Sequence, residues 1–243
     1  MAHVLESHIL RHLQEVEQER QRRRADTRLE TAVQALKRYQ QQRFARTYAD
    51  LLAAPRYAPA AQFFLEELYG PGDFTRRDAQ FARVVPALVR LFPEQVVQTV
   101  AHLAELHALS ERLDGEMAVA LAGAPLNAAT YQAAWQAVGQ PGQRQQQIDL
   151  TLAVGASLDE LTRKPLLRQA LRMMRGPATA AGLAELQHFL EQGFDTFKSM
   201  KGAQHFLGTV RQREEDLAAA LFGATDTAGG DCHPRDAVLG QLP

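Results

Sequence analysis

Apolar residues recur every three or four positions along most of the chain, which is the spacing of one buried face on an α-helix. The clearest run covers about residues 94–122, where Val96, Val100 and Leu103 begin an apolar side that continues to Leu121. Runs rich in Val, Ile and Thr are absent, and strong helix formers such as Ala, Leu, Gln and Glu dominate. The pattern therefore predicts an all-α fold.

Prolines and single glycines divide this pattern into about eight core helices between residues 55 and 223. Gly155 and Gly193 are predicted to end helices, and Gly176-Pro177 to end another. Pro86 is predicted to kink or break the helix that contains it, because it lacks an N–H and crowds the preceding turn. Such short segments predict an irregular multi-helix bundle rather than a regular four-helix one.

The two ends of the chain are predicted to lie outside this core. Residues 1–54 carry an apolar stripe that includes Ile9 and Val16. A capping-box pattern at Thr27 allows a helical pair, and one long helix over 4–53 is the alternative. We expect this amphipathic segment to self-associate or to bind a protein partner. Residues 224–243 lose the helical period, so they are predicted to form a disordered tail.

The densest aromatic stretch, residues 57–78, is predicted to form a helix, a sharp stop and a second helix start. Gly70-Pro71 suits the stop, and Thr75 followed three residues later by Asp78 suits the start. The acidic and basic side chains around this turn are predicted to form ion pairs that hold the two helices together. A buried carboxylate acting as a general acid or base is the alternative.

The same stretch carries a resemblance to a known family. The run from Phe63 to Pro71, followed by Asp73-Phe74 and Arg77-Asp78, resembles the signature of the bacterial FFLEELY motif proteins. The resemblance covers roughly residues 55–222, and it implies a domain of unknown function without identifying a catalytic residue. The signature residues are Phe63, Phe64, Glu66, Glu67, Tyr69, Gly70, Asp73, Arg77 and Asp78.

Composition narrows the classes of function. The 243 residues carry a formal net charge of −1, so no overall field favours nucleic acid or a membrane surface. The single cysteine, Cys232, rules out a disulfide framework within the chain and is typical of a reducing cytosol. No apolar run is long enough to cross a bilayer. We therefore expect a cytoplasmic protein without a membrane partner.

Metal-ligating residues are sparse. Glu185 and His188 have the Glu-x-x-His spacing of helical di-iron proteins, but those proteins need a second such motif and two further carboxylates. His102 and Glu105 have the reverse order, and the two pairs would converge only if their helices packed face to face. Partly solvated polar faces are the favoured interpretation, so no cofactor is evident.

Two further clusters have an ordinary and a functional interpretation. The basic run Arg22–Arg28 could contact phosphates, but neighbouring acids offset its charge, and a solvated surface is favoured. Methionine and phenylalanine residues near the C-terminus could line an apolar pocket or form ordinary core, and core is favoured. The residues of this Met/Phe cluster are Met173, Met174, Phe189, Phe194, Phe197, Met200 and Phe206.

These observations leave three hypotheses of function open. The favoured one is a non-enzymatic interaction or scaffold protein that uses residues 1–54. The first alternative is a helical pocket that binds an apolar small molecule or a metal, with or without catalysis. The second alternative is weak nucleic-acid binding through Arg22–Arg28.

Overall fold

The computed structural model describes residues 2–68, 70, 72–223 and 234–243, and it confirms the all-α prediction. No strand occurs in these ranges. A π-helical turn at Phe64–Leu68 continues the fourth helix. The α-helices are α1 (Ala2–Arg24), α2 (Thr27–Thr47), α3 (Ala49–Ala53), α4 (Ala58–Phe63), α5 (Thr75–Leu91), α6 (Glu94–Leu121), α7 (Ala128–Val138), α8 (Pro141–Leu161), α9 (Pro165–Met173), α10 (Arg175–Ala180), α11 (Ala184–Met200), α12 (Gln204–Phe222) and α13 (Pro234–Leu239).

Helix α6 is the central element, with α1, α2, α7 and α8 packed around it. Small residues such as Ala101, Ala104 and Gly115 let these neighbours approach closely, and Leu113 and Met117 fill the space between them. The helix ends at Ala122, whose φ of 47° is left-handed. A helix covered on several sides explains why α6 carries the longest apolar pattern in the chain.

The N-terminal segment forms a helical pair and not one long helix. Asp26 separates α1 from α2, and its side chain accepts hydrogen bonds from the backbone N–H groups of Arg28, at 2.9 Å, and Leu29, at 3.3 Å. The cap is therefore one residue before the predicted Thr27. An extended aspartate that bonds these otherwise unpaired N–H groups is a strong helix start.

The pair also departs from the predicted division at residue 54. Ile9 is fully buried, and Leu13 and Val16 are buried with it against α5 and α6. The apolar stripe of α1 is thus used within the chain. Periodicity identified the buried face, but it did not show that the chain itself supplies the surface that covers it.

Two predicted helix ends are wrong for the same reason. Gly155 lies inside α8, where an added Cβ would be 2.6 Å from Cδ2 of Leu207 on α12. Gly193 lies inside α11, where a Cβ would be 3.2 Å from the ring of Phe63. Both glycines allow close packing against a neighbouring side chain, a role that the local sequence does not distinguish from a helix stop.

Both predicted proline breaks lie inside helices. Helix α5 continues through the exposed Pro86, whose missing N–H removes the intrahelical bond to the carbonyl of Ala82. The helix does not break there, and the alternative of a kink stays a prediction. Pro177 lies in the first turn of α10, where a backbone N–H would have no partner within the helix, so its absence costs no hydrogen bond. Gly176-Pro177 therefore lies inside the start of a helix and does not end one.

The predicted disordered tail is folded where the structure describes it. Residues 224–233, including Cys232, lie outside the described residues. Helix α13 packs against α12, and Leu242 is buried in the apolar cluster beside Leu221. Arg46 donates a hydrogen bond of 2.8 Å to the Leu242 carbonyl. The apolar residues of α13 were too few to show a helical period in the sequence.

None of the described helices combines enough residues with enough apolar character to cross a membrane.

Candidate functional site

The aromatic stretch builds one end of the core. Phe63 and Phe64 are buried, and the ring of Phe64 meets that of Phe206 edge to face at 5.3 Å. A Cβ at Gly70 would be 2.1 Å from the carbonyl oxygen of Glu66, so only glycine fits there. Tyr69 and Pro71 lie outside the described residues. Phe63, Phe64 and Gly70 therefore have a packing role.

The charged part of the signature divides into two groups. Glu66 is exposed, and Asp73 accepts a hydrogen bond of 3.0 Å from the backbone N–H of Thr75 at the start of α5. Glu67, by contrast, accepts a hydrogen bond from Arg77, whose Nε lies 3.7 Å from Asp78. The structure thus brings Glu67, Arg77 and Asp78 together and leaves the others outside.

Arg77 is held by two aromatic rings as well as by these carboxylates. Its guanidinium carbon lies 4.0 Å from the ring centroid of Phe74 and 4.4 Å from that of Phe189. Burial lowers the pKa of Arg77, and the adjacent carboxylates act in the opposite direction. A guanidinium between two aromatic faces is fixed in orientation as well as in charge.

Asp78 connects this group to α1 and α6. Its Oδ2 accepts a hydrogen bond of 2.7 Å from Arg20, and Nε2 of His107 lies 2.8 Å from the same oxygen. Burial alone would raise the pKa of Asp78, but His107, Arg20 and Arg77 outweigh it and lower the pKa below its ordinary value. Asp78 is therefore a partly buried anion held by Arg20, Arg77 and His107 from three helices.

Glu111 is the anion at the centre of the next group. It is 3% exposed and accepts hydrogen bonds from Arg23 and from Lys37, the latter at 2.7 Å. Arg20 lies 3.9 Å away. Burial alone would raise the pKa of Glu111, but Lys37, His107 and Arg23 lower it to about 2. Glu111 thus joins α1 and α2 to α6.

These contacts divide the basic run Arg22–Arg28. Arg23 points into the protein toward Glu111, whereas Arg22 lies 3.5 Å from Glu19 at the surface. Arg24 donates a hydrogen bond of 3.0 Å to Thr75. The run therefore does not present one continuous basic surface.

A third group lies further along the interior, toward α7 and α12. Arg43 donates a hydrogen bond to Glu214, which also accepts one of 2.8 Å from Tyr48. Asp114 accepts a hydrogen bond of 3.0 Å from Gln40. Burial raises the pKa of Asp114, and Lys37 and the Gln40 bond only partly oppose it. Asp114 is thus the carboxyl group in this interior that is pushed toward its neutral form.

Arg144 differs from the other buried cations because it forms no ion pair with a carboxylate among the described residues, although Asp114 and Glu116 are near enough to favour its charge. It is 3% exposed, and its guanidinium carbon lies 3.9 Å from the ring centroid of Trp135. NH1 donates to Gln147 at 3.3 Å, whereas Nε and NH2 have no hydrogen-bond partner among the described residues. Burial lowers the pKa of Arg144. Burying a guanidinium without an ion pair is costly, which makes Arg144 a candidate binding group.

The local fold explains where this charge lies. Gln140 adopts a left-handed conformation with φ of 60°, and Pro141 then begins α8. Arg144 consequently lies in the first turn of α8. Unpaired backbone N–H groups make that end of a helix electropositive, so the helix adds to the charge of the guanidinium.

These groups surround an interior cavity of about 160 Å³. Apolar side chains such as Leu106, Ile148 and Leu217 line part of it, and Tyr131 belongs to the same lining as Arg144 and Asp114. The ionisable groups that line the cavity are Lys37, Arg43, Glu67, Arg77, Asp78, His107, Glu111, Asp114, Tyr131, Arg144 and Glu214.

The Met/Phe cluster does not form this cavity. Met173 is 71% exposed and Met174 is 42% exposed. Four members, Phe194, Phe197, Met200 and Phe206, are buried in core packing. Only Phe189 reaches the cavity, through its contact with Arg77.

The four predicted metal candidates do not come together. His102 contacts Gln98 at 3.0 Å, and Glu185 lies 3.0 Å from Arg76. His188 is exposed. Glu105 approaches two histidines of α1 that the sequence analysis did not select.

Sequence reasoning also missed Arg144, although one signal was present. From Gln140 to Ile148 the polar side chains are those of five glutamines and Arg144. No acidic residue lies within four positions of Arg144. An arginine that has no acid at helical spacing and lies next to apolar positions is one for which a distant partner should be sought.

The family comparison covers most of this architecture. Residues 19–228 match the family described as a domain of unknown function (DUF8198). No curated protein and no solved structure matches the chain. The matched range begins within α1 and extends past α12, so it includes all the ionisable residues that line the cavity, and the chain belongs to the DUF8198 family.

Proposed function

We propose that this protein binds a small organic anion in its interior cavity, with Arg144 as the cationic anchor. The observation that carries the proposal is the guanidinium of Arg144, which is buried, has two nitrogens without partners and contacts no carboxylate within the described residues. A carboxylate on a ligand would supply both missing hydrogen bonds in the bidentate geometry that arginine favours.

The neighbouring groups support an anion over a neutral ligand. Asp114 lies in the same lining, and its raised pKa reduces the negative charge that would repel an incoming carboxylate. The other lining carboxylates are engaged by cations of their own, and they are Glu67, Asp78, Glu111 and Glu214. Arg144 therefore remains as the lining cation whose charge is available to a ligand.

The size and the walls of the cavity limit the rest of the ligand. An engineered protein cavity of about 150 Å³ holds benzene, so about 160 Å³ suits a molecule of similar size. Apolar lining residues such as Leu106, Ile148 and Leu217 suit a compact apolar body. The proposed ligand class is thus a small carboxylate with an apolar body, and benzoate is a suitable probe.

Benzoate is expected to stabilise the protein, whereas benzamide, which has the same shape without the charge, is not. At a concentration about 100 times its Kd, a ligand stabilises by about 2.7 kcal/mol, which corresponds to a rise in Tm of about 5–10 °C for a chain of this length. The measurement is thermal unfolding with each compound. The response should be lost in Arg144→Gln and kept in Arg211→Gln, an exposed arginine on α12.

Equal shifts with benzoate and benzamide would contradict the charge-based part of this proposal. A benzoate shift that persists in Arg144→Gln would place the anion elsewhere in the protein.

The interaction role expected from residues 1–54 has less support. The apolar stripe of α1 is covered by α5 and α6, so a partner would have to bind the outer polar faces of α1 and α2. Self-association through this segment and cytoplasmic localisation stay predictions, as does membership of the FFLEELY motif group. Nucleic-acid binding is the least supported, because Arg23 is turned inward.

A further inference from the structure

A second group of functional side chains lies where α1 crosses α6, and none of its members lines the cavity. His8 and His12 are one helical turn apart on α1, and Glu105 faces them from α6. One ligand atom from each of the three lies within 4.8 Å of the other two. Nε2 of His8 is 3.4 Å from Oε2 of Glu105, and the two imidazole rings meet edge to face at 4.4 Å.

Each end of this cluster is oriented by a neighbouring polar group. Nδ1 of His12 lies 2.8 Å from Oε2 of Glu15. In this arrangement Nδ1–H donates to the carboxylate, and the lone pair on Nε2 is left for a metal ion. Gln146 of α8 donates a hydrogen bond of 2.7 Å to Oε1 of Glu105. Oε2 of Glu105 is thereby directed toward His8. Carboxylate or amide support behind the ligands is the usual outer shell of a metal site.

The cluster already attracts a cation. One guanidinium nitrogen of Arg11 lies 3.2 Å from Nε2 of His12 and 3.3 Å from Nδ1 of His8. The Arg11 side chain is 56% exposed and also pairs with Glu15. Its long stem can therefore swing into solvent and leave Nε2 of His12 to a more strongly bound ion.

We propose that His8, His12 and Glu105 form a binding site for Zn²⁺. Two imidazoles and one carboxylate are a known zinc donor set that leaves the fourth tetrahedral position to water. Imidazole favours zinc and related transition metals over Mg²⁺ and Ca²⁺, which prefer oxygen ligands alone. The site joins α1 to α6, so a bound ion would also fix the N-terminal helix on the core.

The test is a Zn²⁺ titration of the tag-free full-length protein, followed by competition with a chromogenic chelator. One ion per chain is expected. His8→Gln and Glu105→Gln should each weaken binding by more than about 100-fold, and loss of the supporting carboxylate in Glu15→Gln by about 10–100-fold. His3→Gln is the matched control, because His3 is an exposed histidine on the same helix, and it should bind like the wild type.

A second readout separates binding from damage to the fold. His8 and Glu105 are partly exposed, so both variants should unfold near the wild-type temperature without metal. Zn²⁺ should then raise the Tm of the wild type and of His3→Gln alone. Equal affinity in wild type, His8→Gln and Glu105→Gln, or no binding in the wild type, would overturn the proposal.

Discussion

Glu111→Gln is expected to lower the free energy of unfolding by about 3–5 kcal/mol, because removing one partner of a buried ion pair leaves the other charges uncompensated. Glu111 is 3% exposed and accepts hydrogen bonds from Arg23 and Lys37, with Arg20 at 3.9 Å. These cations come from α1 and α2, so their loss of a partner would weaken the packing of both helices on α6. Urea unfolding, followed by circular dichroism, measures the change.

Glu185→Gln provides the matched control. Glu185 also pairs with an arginine, Arg76, but both side chains are largely exposed. An exposed ion pair contributes between about 0 and 1 kcal/mol, so this variant should unfold close to the wild type. Similar losses in the two variants would show that Glu111 is not the buried centre of a network.

The pH dependence of unfolding in the wild type and in Glu111→Gln gives an independent check on the role of Glu111. Glu111 has an ordinary pKa of 4.5, and in the folded protein it is lowered to about 2. Because the folded-state pKa is the lower one, the stabilisation is complete above pH 4.5 and is lost as the pH falls toward 2. The difference in free energy between the wild type and Glu111→Gln should therefore narrow across that interval.

Arg144→Met is expected to raise the free energy of unfolding by about 1–3 kcal/mol, the opposite of the effect of Glu111→Gln. It should also remove the response to benzoate. The substitution replaces a buried charge that lacks a counterion with an apolar chain that can still pack on Trp135. Replacing buried charge by apolar groups of similar volume is often stabilising, and binding sites commonly trade stability for function. Urea unfolding of the ligand-free proteins measures the change.

Arg43→Met is the control from the same cavity. Arg43 is buried and donates a hydrogen bond to the partly buried carboxylate of Glu214, so its loss would leave that carboxylate without its ion-pair partner and should cost several kcal/mol. If Arg144→Met destabilised the protein as strongly as Arg43→Met, Arg144 would be a structural cation and the proposed function would lose its main support.

The fold class could be predicted from the sequence, because helical periodicity and strong helix formers are local properties. The separation of α1 from α2 could also be predicted from the sequence. The cap at Asp26 is local, because its side-chain oxygen bonds the backbone N–H groups of residues two and three positions later. Gly155 and Gly193 were misassigned because their roles depend on Leu207 and Phe63, which lie far away in the chain. Glycine alone does not distinguish a helix end from close packing.

The candidate site was mostly beyond sequence reasoning for the same reason. Glu67, Arg77 and Asp78 were selected because they are neighbours in the chain. Arg23 and Glu111, by contrast, are 88 residues apart, and their pairing exists only because α1 lies along α6. The position of the cavity depends on how several helices fail to fill the space between them. Periodicity shows which face of a helix is buried, but it does not show which residues of other helices pack against that face.

The most direct test of the anion site is a crystal structure from crystals soaked in iodide, with anomalous data collected to locate the ion. Iodide is an anion small enough for a cavity of about 160 Å³. The account predicts an anomalous peak inside the cavity beside Nε or NH2 of Arg144, and no such peak in Arg144→Met. Iodide at the surface alone, with Arg144 bonded to a protein carboxylate, would contradict it.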